Sequence, residues 1–289
     1  MKLDYFKVLI AYLAASVIAV ICGNLLVGWN PILVVGIADL AGTLVVFGFS
    51  VYFDNSSLYD PYWSVAPILI TFYWLFSGTD TPVSQLRRLV VAGLVLVWAV
   101  RLTMNWAVRW QGIKHEDWRY ASYRSDNKQL YWLISFFGFH LMPTIIVFLG
   151  CLPLIPSLST SQTPFGTLDL GAFIITSMAI LIETKADLDI TRFLSAGNKR
   201  SSLLQSGLWS LSRHPNYLGE ILFWWGLFVF ALSADRNFWW TVIGPISITI
   251  LFLTISIPLI EKHHLTKRSE YSDYQNTTSM LVPWWKRNP

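Results

Sequence analysis

Long apolar runs separated by short polar segments make up most of this 289-residue chain. A helix needs roughly 20 apolar residues to cross the hydrocarbon core of a bilayer. By that measure the pattern predicts eight helices, the third of them short, at residues 6–28, 31–53, 62–77, 86–108, 131–151, 168–185, 217–233 and 238–260. The sequence therefore predicts an all-α, multi-pass membrane bundle that forms a single membrane domain over residues 1–289.

Polar and proline-containing segments separate these runs. Asn30-Pro31 predicts a tight turn, and residues 54–61 and the Pro-, Ser- and Thr-rich residues 153–166 predict loops. A soft boundary near residue 130 divides a first half with few polar residues in its helices from a second half that carries most of the charged loops.

Lys and Arg residues concentrate in three segments, 109–130, 186–216 and the tail after residue 260. With eight crossings, these segments and the N-terminus lie on one side of the membrane, which the positive-inside rule makes the cytosolic side. Both termini are therefore predicted to be cytosolic. This orientation suits an endoplasmic reticulum membrane if the source is eukaryotic and an inner membrane if it is bacterial.

Composition supports the membrane interpretation and excludes other classes. Hydrophobic residues make up 54% of the chain and charged residues only 13%, whereas a soluble domain carries about 25% charged residues. The net charge of +4 is spread over membrane-flanking loops, so it is not a nucleic-acid signal. Cys22 and Cys151 both lie in apolar runs and form neither a disulfide framework nor a metal-ligand set.

The stretch from Gly207 to Glu220 is the strongest candidate for chemistry, because a donor- and charge-rich run meets a long apolar helix there. Pro215 suits the first turn of that helix, and Ser212 is a candidate cap before it. A carboxylate at the depth of Glu220 is costly unless it has a partner or a task. The pattern therefore favours a functional site over an ordinary helix start.

Side chains around this helix start converge on one region. The exposed N–H groups of the first turn, beside Arg213 and His214, predict an anion site. Counted from Arg213, the spacing of Asn216, Tyr217 and Glu220 places all of these side chains on one helix face.

Two further polar groups lie inside predicted helices. Arg101 either faces the bundle interior and pairs there, or extends its side chain towards the cytosolic end of the fourth helix. Asn105 follows one turn later on the same face. Asp39, between Gly36 and Gly42, predicts a hydrogen bond to a neighbouring helix.

Asp60 stands directly before Pro61 at the mouth of the third predicted helix. It is either an N-cap, which the sequence favours, or a proton donor at the edge of an apolar pocket. In the second case, desolvation would raise its pKa.

An acidic run ends the sixth predicted helix. Glu183 and Asp187 share a helix face, and Asp189 and Arg192 form an i, i+3 pair. These carboxylates are either partners in surface ion pairs or acceptors for ribose hydroxyls and an adenine amine. Residues 198–202 follow with cations and hydroxyls that suit phosphates or lipid headgroups.

The tail adds two smaller signals. His263 and His264 are adjacent rather than one turn apart, which argues against a metal site on one helix face, so no metal is predicted. Trp284-Trp285 predicts an anchor at the membrane interface.

Several of these pieces combine into a family pattern. Its parts are Asp60-Pro-Tyr-Trp-Ser, Arg101-Leu-Thr with Arg109, Glu116-Asp-Trp-Arg-Tyr120, Glu183 to Asp187, Gly207-Leu-Trp to Glu220, Trp225-Gly226, and Tyr271 with Tyr274 through to Pro283-Trp284. The pattern resembles the steroid 5α-reductase superfamily, and most closely its poorly characterised branch of predicted reductases. The likeness covers roughly residues 55–285, and the segment Ser212–Glu220 is its most specific part.

The resemblance implies a membrane oxidoreductase that binds NADPH on the cytosolic side. It implies hydride transfer to a carbon–carbon double bond conjugated with a carbonyl, in a steroid-, sterol- or enoyl-like lipid substrate. Residues 1–130 would form the substrate side and residues 131–289 the cofactor-binding half. By position, cofactor contacts would come from Arg101, Asn105, Asp187, Arg192, Arg213, His214, Asn216, Glu220 and His263. Catalytic roles would fall to Asp60, Tyr217 and Glu220, with Asp60 orienting or protonating the carbonyl oxygen.

The chain departs from the family at the substrate carbonyl. Where the steroid enzymes place a Glu and a Tyr, this sequence has Asp60 and Trp98. An indole cannot donate an O–H bond, so the resemblance supports nucleotide binding more strongly than steroid turnover.

Two alternatives remain open. Membrane methyltransferases of the isoprenylcysteine type, which use S-adenosylmethionine, share the short signature Arg213-His-Pro-x-Tyr217. They place an acidic pair after it, for which the tail offers only Glu261 and Glu270. The third possibility is a non-catalytic, lipid-binding relative that retains the fold.

Overall fold

The computed structural model describes residues 2–77, 84–160, 163–197 and 202–283, and all of the long elements in them are helices. In chain order they are α1 (Lys2–Leu25), α2 (Pro31–Tyr52), α3 (Tyr62–Phe76), α4 (Gln85–Arg109), α5 (Trp118–Asp126), α6 (Tyr131–Thr160), α7 (Thr167–Ser195), α8 (Pro215–Ala234), α9 (Arg236–Lys267) and α10 (Tyr271–Thr277). Within these residues seven helices, namely all but α3, α5 and α10, are long and apolar enough to cross a membrane. The predicted multi-pass helical bundle is confirmed.

The third predicted span is a helix, but a short one. α3 contains 15 residues, which is about 22 Å of helix and less than the roughly 30 Å of a bilayer core. Among the described residues, seven full-length spans therefore stand in place of the eight that the sequence predicted. The Tyr5 hydroxyl at the start of α1 nevertheless donates to the Ala107 carbonyl near the end of α4, at 2.7 Å. Since the start of α1 and the end of α4 meet, the chain passes along the bundle an even number of times between them, which favours α3 as the third of four passes.

Two other helices run further than predicted. α7 continues to Ser195, so the acidic run that was expected to end it lies inside the helix. α6 extends to Thr160 through part of the predicted loop 153–166, and the loop prediction is wrong there. The Ser157 hydroxyl donates to the Pro153 carbonyl at 2.9 Å. Such side-chain bonds satisfy carbonyls that an irregular helix leaves without an N–H partner.

The chain divides into two compact units. One comprises residues 1–80 and 95–152, and the other comprises residues 81–94 and 153–289. The core of the first unit is built from α1, α2, the turn Ser56–Tyr59 and the start of α3, and its buried members are Val8, Ala11, Tyr12, Ala15, Val46, Leu58, Tyr59, Tyr62, Ala66 and Trp110. Asp39 is buried on α2 and accepts a hydrogen bond from Tyr62 of α3, as expected of a polar group between helices.

Candidate functional site

In the second unit, α7 and α8 pack closely because glycines on α8 leave room for α7. A Cβ atom on Gly219 would lie 2.7 Å from the Cβ of Glu183 and 2.8 Å from the Ala179 carbonyl oxygen. A Cβ atom on Gly226, two turns further along the same face, would overlap the Thr176 hydroxyl. The start of α8 is therefore fixed against the acidic part of α7.

The segment before α8 contacts the same part of α7. Gly207 has a φ of 60°, in the left-handed region that favours glycine, and a Cβ atom there would lie 3.0 Å from Asp189 Oδ2. The Trp209 indole donates from Nε1 to the Ala186 carbonyl at 3.1 Å. The Gly207-Leu-Trp segment and Gly219 thus meet one stretch of α7, which brings the motif and the acidic run together.

Three carboxylates are buried where the two helices meet. Glu183 and Glu220 are each 4% exposed, and Asp187 is 7% exposed. The Trp224 indole donates from Nε1 to Glu220 Oε1 at 3.0 Å, so the carboxylate at membrane depth has a partner one turn along its own helix. A cluster of buried acids at this position can accept hydrogen bonds from hydroxyl or amine groups of a ligand.

The ion pair that the sequence predicted between Asp189 and Arg192 is replaced by another. Asp189 accepts from Lys185, one turn earlier on α7. Arg192 is exposed in the last turns of the helix, where a cation interacts favourably with the helix dipole.

Glu261 on α9 joins the two basic residues of the motif. Arg213 Nε donates to Glu261 Oε1 at 2.8 Å, and His214 Nε2 donates to the same oxygen at 2.9 Å. The other carboxylate oxygen accepts from Gln275 Nε2 at 2.6 Å. Glu261 therefore compensates the charge of the motif, although the sequence pattern assigned it no place in the cofactor site.

Residues 274–280 of the tail form hydrogen bonds with the segment that precedes α8. The backbone N–H of Arg213 donates to the Ser279 carbonyl at 2.8 Å, and the Tyr274 hydroxyl donates to the Trp209 carbonyl. Pro215 stands in the first turn of α8 as predicted, but the N-cap is His214 and not Ser212. The Ser212 hydroxyl accepts from the His214 N–H at 3.3 Å and donates to the tail at Met280, so it belongs to the contact between motif and tail.

Two of the three nitrogen atoms of the Arg213 guanidinium have hydrogen-bond partners. Its Nε is bound to Glu261, and its Nη1 donates to the carbonyls of Gln275 and Thr278. Among the residues that the structure describes, Nη2 has no hydrogen-bond acceptor. An arginine that is fixed in this way, with two N–H groups to spare, is prepared to bind an anion.

Aromatic rings complete this side of the site. The Tyr217 ring stacks on the His214 ring, with 5.5 Å between centroids and 7° between planes. It also meets Phe252 at 4.7 Å. Phe252 begins the π-helical turn Phe252–Ser256 of α9, and such turns are frequent at functional sites.

In the first unit, Asp60 does not cap α3. The N-cap is Pro61, without a side-chain bond, and the Asp60 carboxylate instead accepts from the Tyr120 hydroxyl. Arg119 Nη2 lies 3.4 Å from both carboxylate oxygens. Burial raises the pKa of Asp60 to about 6, and the charge of Arg119 opposes that rise. The cap interpretation is wrong, and the proton-donor interpretation remains.

The remaining predicted residues are divided between the units. Arg101 and Asn105 lie on α4 in the first unit, and both are half-buried. Asn216 and His263, in the second unit, are half-buried on α8 and α9. Residues 198–201 of the predicted phosphate or headgroup segment and the predicted anchor Trp284-Trp285 lie outside the described residues.

Two surface cavities lie away from these residues. One of about 510 Å³ in the second unit is lined by Thr160, Thr163 and residues 232–236. One of about 380 Å³ in the first unit is lined by Ala121, Arg124, Ser125, Lys128, Tyr131 and Trp132. Neither contains a residue of the predicted site.

Comparison with known proteins places the chain in a family. An uncharacterized protein of Schizosaccharomyces pombe is 27% identical over 262 residues, which are 83% of this chain and 76% of that protein. No solved structure matches. A model of the family DUF1295, described as a protein of unknown function, matches residues 46–278. Since this match covers most of the chain, the protein belongs to the DUF1295 family.

Proposed function

We propose that this protein is a membrane-embedded, NADPH-dependent reductase that reduces a carbon–carbon double bond conjugated with a carbonyl in a lipid. The observation that carries the proposal is the convergence of the Gly207–Glu220 motif on the acidic part of α7, with Arg213 fixed and, among the described residues, no acceptor at its Nη2. Cationic donors and buried carboxylates within one site suit a ligand that carries both phosphates and hydroxyls.

The side chains present fit a nicotinamide dinucleotide in their chemistry. Arg213 Nη2 and the N–H groups of the first turn of α8 would hold phosphate oxygens. Asp187 and Asn216 would bind ribose hydroxyls or the adenine amine, and the exposed Arg192 adds a further cation. Bound there, NADPH would supply the hydride.

The reaction also needs a proton and an oriented carbonyl. Asp60 is the candidate acid, because a carboxyl with a pKa of about 6 is partly protonated near neutral pH. Tyr217 and Glu220, near the start of α8, would orient the reacting end of the cofactor and substrate. The apolar composition of the helices suits a substrate that enters from the bilayer, such as a steroid-like or enoyl lipid.

Cofactor binding is the measurement that tests this function. The detergent-purified protein is titrated with NADPH and with S-adenosylmethionine, and Asn216→Ala is compared with Asn127→Ala, an equally half-buried residue of the first unit. We expect NADPH binding that Asn216→Ala weakens at least tenfold and that Asn127→Ala leaves unchanged. Equal NADPH affinity in all three proteins, or no binding at all, would contradict the proposed site.

One observation favours a second candidate function. The contact of Glu261 with both Arg213 and His214 provides an acid beside the Arg-His-Pro-x-Tyr signature, as in the membrane methyltransferases of the isoprenylcysteine type. Lys262 follows it, however, so the acidic pair is incomplete. Binding of S-adenosylmethionine alone in the same titration would select this function, and binding of neither ligand would select a non-catalytic, lipid-binding relative.

A further inference from the structure

Tyr120 and Asp60 form a close pair in the first unit, although the sequence gives no sign of it. The Tyr120 hydroxyl donates to Asp60 Oδ1. Tyr120 as a whole is 5% exposed, whereas the Asp60 side chain is 20% exposed. Solvent therefore reaches the Asp60 side chain but hardly reaches Tyr120.

The position of Tyr120 is fixed independently of Asp60. Its ring meets the Phe139 ring edge-on, with 4.8 Å between centroids, and the Arg119 guanidinium lies 5.2 Å from the centre of its ring. Arg119 is itself held by Asp117, with 2.7 Å between Nε and Oδ1. The donors to Asp60 are thus set by α5 and its neighbours and do not depend on a ligand.

The charges around Asp60 act in opposite directions. Burial and the nearby carboxylate of Asp117 favour the neutral acid, while Arg119 and the hydrogen bond from Tyr120 favour the carboxylate. Tyr12 on α1, whose hydroxyl donates to the Leu58 carbonyl at 2.6 Å, also interacts electrostatically with Asp60. The balance leaves the pKa of Asp60 at about 6, close to the working range of a general acid at neutral pH.

We propose that Tyr120 is a positioning residue of the proton-donating site: it holds Asp60 and stabilises the carboxylate that remains when Asp60 gives up its proton. The use of that proton rests on the proposed reductase function. In that step the O–H bond of Asp60 breaks, the proton passes to the carbonyl oxygen of the substrate, and the bonding pair stays on the carboxylate. Tyr120 and Arg119 then hold the new negative charge.

The alternative is that Tyr120 only anchors α5 to the loop before α3. The two roles predict opposite shifts in the pKa of Asp60 when the Tyr120 hydroxyl is removed. A hydrogen bond to the ionised form lowers the pKa of a carboxyl, so its removal must raise that pKa. A purely structural anchor loosens the packing when it is lost, which hydrates the carboxyl and lowers its pKa towards the ordinary value.

Infrared titration of the purified protein measures the direction of this pKa shift without any assay of activity. The C=O band of protonated carboxyl groups is followed with pH, and the difference between wild type and Asp60→Asn isolates Asp60. We expect a midpoint near pH 6 in the wild type and one roughly one pH unit higher, a tenfold change in acidity, in Tyr120→Phe. An unchanged or lower midpoint in Tyr120→Phe would overturn the proposal.

Tyr123→Phe is the matched control, because Tyr123 also lies edge-on to Phe139, at 5.3 Å, and it is exposed. Its midpoint should equal that of the wild type. If Tyr120→Phe folds poorly, Arg119→Gln takes its place in the test. Arg119 also stabilises the Asp60 carboxylate, so loss of its positive charge must raise the infrared midpoint of Asp60. A fall in this variant would count against the proposal equally.

Activity separates this inference from the reductase function. With NADPH and an enone lipid, Tyr120→Phe should lower kcat at least tenfold and move its pH profile to higher pH by the same amount as the infrared midpoint. A shifted midpoint in a protein that turns over no enone would retain the Asp60–Tyr120 pair and reject the reductase. Turnover with an unshifted profile would retain the reductase and reject the role of Tyr120.

Discussion

The guanidinium of Arg213 and the carboxylate of Glu261 form an ion pair, with 2.8 Å between Nε and Oε1 across 48 residues of sequence. Both side chains are about nine-tenths buried. In such surroundings, removal of one partner leaves a charge without compensation and costs about 3 kcal/mol or more. The pair therefore fixes the orientation of the Arg213 side chain, which in turn binds the tail through the carbonyls of Gln275 and Thr278.

Glu261→Gln should release the tail. The amide keeps the shape of the side chain but removes the charge, so the tail residues Gln275 and Thr278 that share Arg213 lose their common anchor. We expect a lower thermal midpoint and faster proteolysis after residue 268 in detergent. Glu270→Gln, an exposed carboxylate nearby, should behave as the wild type. Identical proteolysis of the two variants would show that Glu261 does not hold the tail.

The sequence predicted the motif but not its partners. The side chains from Gly207 to Glu220 could be grouped because helix periodicity relates neighbours along the chain. Glu261 and Tyr120 reach the two sites from distant segments, and no local pattern relates them to Arg213 or Asp60. The expected cap Ser212 failed for the same reason, since its hydroxyl bonds to Met280 of the tail.

Two glycines should be critical for the packing of α7 on α8. A methyl group at Gly219 or Gly226 would collide with α7 at Ala179, Glu183 or Thr176, so Gly219→Ala and Gly226→Ala should each lower the thermal midpoint and impair cofactor binding. Gly171→Ala is the control on α7, where nothing lies within 4 Å of an added Cβ. It should stabilise the helix slightly, because Ala favours helix over Gly by up to about 1 kcal/mol. Equal effects at the three positions would refute the close packing.

Arg87 and Asp169 form a fully buried ion pair in the second unit. Arg87 Nε and Nη2 lie 2.7 and 2.8 Å from the two oxygens of Asp169, and both side chains have 0% exposure. Asp169→Leu or Arg87→Leu alone should destabilise the protein by about 3–5 kcal/mol, whereas the double variant should recover most of that loss. Thermal unfolding followed by tryptophan fluorescence measures each step of the cycle. Additive losses in the double variant would mean that the two charges do not depend on each other.

Helix positions were more predictable than helix ends. Apolar runs located every spanning helix, because the bilayer requires a minimum length. The end of α7 was missed because its last turns are charged, yet i, i+4 pairs such as Lys185 with Asp189 stabilise that part of the helix. The hydroxyl-rich residues 156–160 were expected in a loop, and their side chains instead bond to helix carbonyls.

The side of the membrane on which the N-terminus lies depends on α3. If α3 crosses, as the contact of Tyr5 with Ala107 favours, the N-terminus lies on the side of the basic loop after α4. If it did not, the basic loops would still share one side, but the N-terminus would lie opposite to them. The two topologies therefore differ at one end of the chain alone.

Single cysteines distinguish these topologies in intact vesicles or cells. In a background with Cys22 and Cys151 replaced by Ser, a membrane-impermeant maleimide should label Lys2→Cys and Lys114→Cys from the same side. Arg236→Cys, at the start of the last spanning helix, should be labelled from the opposite side. Labelling of Lys2→Cys together with Arg236→Cys would mean that α3 does not cross. The positive-inside rule further requires that the side shared by residues 2 and 114 is the cytosolic one.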